Sequence, residues 1–80
     1  MGVLAEVGER LIRFRAAAGL EPERAAEMAQ VDPDRLDRAE IGDLALDEDE
    51  LARVAGTYGV DPTEIFGGRI TPVRDFAAGG

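Results

Sequence analysis

Eighty residues and 8.5 kDa leave room for one domain, whose small core must be well packed to outweigh chain entropy. The chain has no Ser, Lys, Asn, His, Cys or Trp, so disulfides, conventional zinc ligation and most nucleophilic catalysis are excluded, and no metal or cofactor is expected. Nine arginines face seventeen acids for a net charge of -8, which argues against a generic binder of nucleic acid or acidic membrane.

The N-terminus meets acid at Glu6 and carries no basic stretch followed by a long apolar run, so no signal peptide or membrane span is read and a cytoplasmic protein is expected. From Leu4 to Ala18 the apolar residues Leu4, Val7, Leu11, Phe14 and Ala18 recur at three- and four-residue steps and predict a helix over 3–18, closed by Gly19. Three acid-proline pairs then mark helix starts: Glu21-Pro22, Asp32-Pro33 and Asp61-Pro62. Proline suits the first helical position, where its missing N–H costs nothing, and an aspartate before it caps the free amides. These predict helices over 22–29, 33–40 and 62–66, the last with Glu64 placed for a capping box. A helix over 47–58 follows from Leu51, Val54, Ala55 and Tyr58, with the acids of 47–50 complementing its dipole and Gly59 ending it. No segment alternates like a strand. Residues 67–80 read as a flexible or docking tail behind a domain over 1–66.

The segment from Pro22 to Ile41 has the design of a helix-turn-helix: a short helix, a tight turn and a second helix across the first. Ala26 is placed at the crossing, and Ala25, Ala29, Val31, Leu36 and Ala39 supply apolar positions around it. An ordinary helical hairpin would use similar residues.

From Gly8 to Phe66, without a gap, the sequence resembles the lambda-repressor/Cro (XRE) family. The resemblance is carried by Gly8-Glu9-Arg10-Leu11 and Arg13-Phe14-Arg15 in the first helix, Ala18-Gly19-Leu20 at its stop, Ala26-Glu27-Met28 in the second, and Arg38-Ala39-Glu40-Ile41-Gly42 closing the third. Leu51, Val54-Ala55, Tyr58-Gly59-Val60 and Glu64-Ile65-Phe66 continue it. It implies an all-α, compact five-helix domain with a central helix-turn-helix, a structural ion pair between Arg15 and Glu40, and DNA as the partner.

Carried over position by position, the base-facing slots fall on Asp32, Pro33, Asp34, Asp37 and Arg38, with Arg35 beside them and Arg24 available for DNA contact. Arg10 and Arg13 on the first helix are further candidates. Three of the slots are acids, which meet phosphate repulsion even though aspartate can accept a hydrogen bond from cytosine. The family's glutamine at the start of the second helix is Pro22, its turn glycine is Gln30, and the basic loop after the third helix is replaced by Ile41, Asp43 and Leu44.

Two functions therefore stand: a DNA-binding regulator of weak or partner-dependent affinity, and a helix-turn-helix repurposed as an acidic module for a basic protein surface, as partner of another regulator or charge mimic of nucleic acid. A homodimer through Ile65, Phe66 and the tail fits the first. No carboxylate pair shows a spacing that demands catalysis, so an enzyme is not expected. The acids after Asp32 fail a calcium loop because Leu36 and Asp37 occupy positions that need a ligand and a glycine.

Overall fold

The computed structural model describes residues 2–66, which form five helices in the order α1 (Val3–Ala17), α2 (Pro22–Ala29), α3 (Pro33–Glu40), α4 (Glu48–Tyr58) and α5 (Pro62–Ile65). No strand occurs among the described residues. The tail over 67–80 lies outside them.

The acid-proline boundaries act as the chemistry requires at two of three sites. Asp32 accepts the Asp34 amide at 2.9 Å, and Asp61 accepts the Thr63 amide and hydroxyl at 3.0 Å each. Those two bonds hold the Asp61 carboxyl below its ordinary value. Glu21 makes no side-chain cap, since its longer arm does not close the same ring. Helix α4 begins one residue later than expected because Asp47 is its cap: the Asp47 carboxylate takes the Glu50 amide at 2.8 Å, and Glu50 returns a bond to the Asp47 amide at 3.0 Å.

The core is small and alanine-rich. Leu11, Leu36, Val54 and Ile65 are its largest fully buried side chains, with Ala25, Ala26, Ala29, Ala39 and Ala55 letting the helices approach closely. Helix α1 packs on α3, α2 lies between α3 and α4, and α5 closes the bundle against α4 and α1.

The expected face of α1 needs revision. Leu11 is fully buried and Val7 and Phe14 pack against the core, but Leu4 is exposed and Ala18 lies beyond the helix end. Gly8 is buried there instead. A methyl group on it would sit 2.8 Å from the Ala39 carbonyl oxygen and closer still to that of Glu40, so the absence of a side chain brings the end of α3 against the α1 backbone.

Ile65 is 0% exposed within the domain's own core, which removes it from the expected dimer contact, because a side chain already enclosed by its own chain offers no surface. Phe66 remains exposed. No helix among the described residues is long and apolar enough to cross a membrane.

Candidate nucleic-acid interface

The turn between α2 and α3 is built around Gln30, at φ 59° and ψ 45°, the non-glycine residue in the left-handed region among the described residues. That conformation lets the Val31 amide bond back to the Ala26 carbonyl at 2.9 Å, terminating α2 and redirecting the chain into α3. Arg53 of α4 then reaches across the turn, donating from Nε to the Ala29 carbonyl at 3.0 Å and from Nη2 to the Gln30 carbonyl at 3.3 Å. Carbonyls left over at the end of α2 are thereby satisfied from another helix.

Behind α3, Arg15 of α1 meets Glu40. Nε donates to Oε2 at 2.7 Å and Nη2 to Oε1 at 3.2 Å, while Nη1 donates to the Leu20 carbonyl at 3.0 Å. The side chains are 16% and 6% exposed. The hydrogen bond to Glu40 raises the already high Arg15 value. Nearby, burial, with the Glu40 charge adding to it, pushes the Tyr58 hydroxyl up to about 12.

On the outward side, the N-terminal ends of α2 and α3 open on one shallow cleft of about 540 Å³, lined by Glu21, Pro22, Glu23, Pro33, Asp34 and Asp37. Helix N-termini ordinarily suit anions through free amides and dipole. Here prolines remove two of those amides, the Asp32 carboxylate occupies a third, and four acidic side chains line the wall.

The named candidates are distributed around this cleft. Asp34 and Asp37 line it, and Asp32 caps α3 beside it. Arg38 is 54% exposed and lies 3.4 Å from Asp34 and 3.9 Å from Asp43. Arg24 pairs with Glu27 at 3.1 Å on the open surface of α2. Arg35 is turned to α4 instead, donating to both oxygens of Glu50 at 2.7 Å each. On α1, Arg10 approaches Glu6 at 4.0 Å, and Arg13 has no acidic partner within ion-pair distance among the described residues.

Two contacts escaped the sequence reading, the Arg35–Glu50 pair and the Arg53 clasp on the turn. The spacing Asp47-x-x-Glu50 repeats the capping-box pattern seen at Asp61-x-x-Glu64 and would have fixed Glu50 at the third helical position. Nothing in the sequence assigns Arg53 to carbonyls 23 and 24 positions away.

Comparison with known proteins accords with this architecture. No curated protein matches the chain. Among solved structures, the chain is similar to the clp gene regulator ClgR from Corynebacterium glutamicum, with a TM-score of 0.77 and 23% identity over 98% of this chain and 88% of that one. At that identity the likeness is one of fold. A family model described as "Helix-turn-helix domain" matches residues 6–65, three quarters of the sequence and all of α2 to α5. The chain belongs to this family of helix-turn-helix domains, which are not enzymes.

Proposed function

We propose that the protein is a DNA-binding transcriptional regulator of the XRE type whose affinity for DNA is weak or depends on a partner. The supporting observation is the family match over 6–65 together with a helix pair whose N-terminal ends open on one face. Arg24 and Arg38 are the cations best placed for the DNA backbone, with Arg13 on α1. Their carboxylate partners do not forbid this: the Arg24–Glu27 and Arg38–Asp34 pairs are more than half exposed on both sides, and such pairs are worth about 0–1 kcal/mol. Phosphate can replace those carboxylates at little cost. The weakness follows from the cleft, where Asp34 and Asp37 repel the same phosphates.

Fluorescence anisotropy on a random-sequence duplex, titrated with salt, tests the reading. Binding that falls steeply with salt and weakens in Arg24→Ala and Arg38→Ala is expected; no binding at low salt in the presence of cell extract overturns it.

A second reading, an acidic module for a basic protein surface, is favoured by the same cleft, with its four carboxylates and no arginine. Its association would be fast and salt-sensitive. Asp34→Asn with Asp37→Asn separates the two: the pair of substitutions tightens DNA binding under the first reading and abolishes partner capture under the second.

A further inference from the structure

Six of the seven arginines among the described residues have a carboxylate within ion-pair distance, and two of these pairings are two-pronged and join different helices. Arg15–Glu40 is enclosed between α1 and α3 and belongs to the scaffold. The pairs of Arg24, Arg38 and Arg53 with acids on their own helices are single contacts of 3.1–3.4 Å to highly exposed side chains. Arg35 sits in the first turn of α3 with its side chain 40% exposed, and it is held by two bonds of 2.7 Å to a Glu50 side chain only 13% exposed.

Glu50 is itself fixed. The oxygen that accepts Arg35 Nη2 also accepts the Asp47 amide, and the Glu50 backbone amide is tied to Asp47 in return. The carboxylate cannot follow the guanidinium outward without opening the start of α4. A planar carboxylate taking both N–H groups of an arginine presents the same two-oxygen face that a DNA phosphate would.

We propose that Glu50 is an internal stand-in for phosphate, an autoinhibitory contact that keeps Arg35 off the DNA backbone and so restrains the domain's affinity for nucleic acid. The inference rests on the DNA-binding reading above. Arg24 and Arg38 exchange their exposed partners for phosphate; Arg35 does not, because its partner is anchored, two-pronged and poorly solvated. The depressed Glu50 value, about 2, fits a carboxylate committed first to Arg35 and second to the Asp47 amide. An event that draws Glu50 away from Arg35 would add a cation to the α3 surface.

The test compares wild type, Glu50→Gln, Glu48→Gln, Arg35→Ala and Arg35→Ala/Glu50→Gln for binding to a random-sequence duplex across a salt series, with helicity and melting checked by circular dichroism. Glutamine at position 50 keeps an oxygen for the Asp47 amide, so α4 remains capped. Glu48→Gln makes the same change in net charge on the same helical turn. Glu50→Gln is expected to tighten binding on the order of tenfold over Glu48→Gln and to steepen the log–log salt slope by about 0.9, one further phosphate contact. The gain is read a second time as Arg35→Ala/Glu50→Gln over Arg35→Ala, and without Arg35 it falls to that of Glu48→Gln over wild type.

Equal effects of the two glutamine variants, or a gain beyond that of Glu48→Gln that survives Arg35→Ala, overturns the inference while leaving the DNA-binding reading intact. Binding by none of the proteins at low salt, with cell extract present, overturns both. Binding by Glu50→Gln where wild type shows none supports both.

Discussion

Arg15 and Glu40, 25 positions apart, form a two-point ion pair that ties the end of α1 to the last residue of α3 and is nearly closed to solvent. Taking two charges out of water is costly, and the pair is stable because each partner satisfies the other and Leu20 takes a third N–H. Removing one side strands the other. Arg15→Ala is expected to destabilise the domain by about 3–5 kcal/mol in urea unfolding. A loss under 1 kcal/mol would show that Glu40 reaches water once released.

Gly8 sets how closely α1 and α3 approach. In Gly8→Ala the new methyl meets the carbonyls of Ala39 and Glu40, which are backbone and cannot swing aside. Alanine's helix propensity gives back about 1 kcal/mol. Overpacking against rigid atoms costs about 3 kcal/mol or somewhat more. A net loss of about 2 kcal/mol is expected, visible as a lowered melting temperature; an unchanged or raised one would mean that α3 can retreat freely.

Gln30 holds a left-handed backbone that costs an L-residue about 1–2 kcal/mol. Its side chain makes no hydrogen bond among the described residues to compensate. Glycine removes the strain but loosens the unfolded chain by about 0.4–1 kcal/mol. Gln30→Gly is therefore expected to stabilise by about 0.5–1 kcal/mol, with no loss of helicity by circular dichroism. Destabilisation would show that the glutamine packs usefully on the turn.

Glu50 also makes a prediction about acid. Its value falls from about 4.5 to about 2 in the folded protein, chiefly through the Arg35 bonds and then the Asp47 amide. A folded value below the unfolded one stabilises the native state above pH 4.5, and that contribution is lost as pH falls from 4.5 toward 2. Across this window the melting temperature of wild type should drop further than that of Glu50→Gln. Parallel curves would mean that the pair is already open in solution.

The fold was legible because its signals are local. Acid-proline pairs, Gly59 and apolar spacing each report on a handful of neighbouring residues, and they placed all five helices to within about a residue. The turn at Gln30 was located too, since its left-handed backbone stands where the resembling family keeps glycine. The outward face was legible only as a charge balance. Which carboxylate meets which arginine depends on how helices pack: Arg35 is followed by many acids, and sequence spacing does not distinguish Asp43 from Glu50. Ile65 misled for a related reason. As the penultimate residue of the folded part it read as surface, yet α5 folds back and inserts it between α1 and α4.

Helix α4 grips the helix pair at two points, through Glu50 on Arg35 of α3 and through Arg53 on the carbonyls that end α2. Opening the turn therefore means breaking bonds to α4 as well, and neither half of the pair can loosen by itself. In hydrogen-exchange terms, the amides of α2, α3 and the first two turns of α4 make one cooperative unit with a shared opening free energy. The first turn of α1, whose cap Gly2 contributes no side chain, frays outside it.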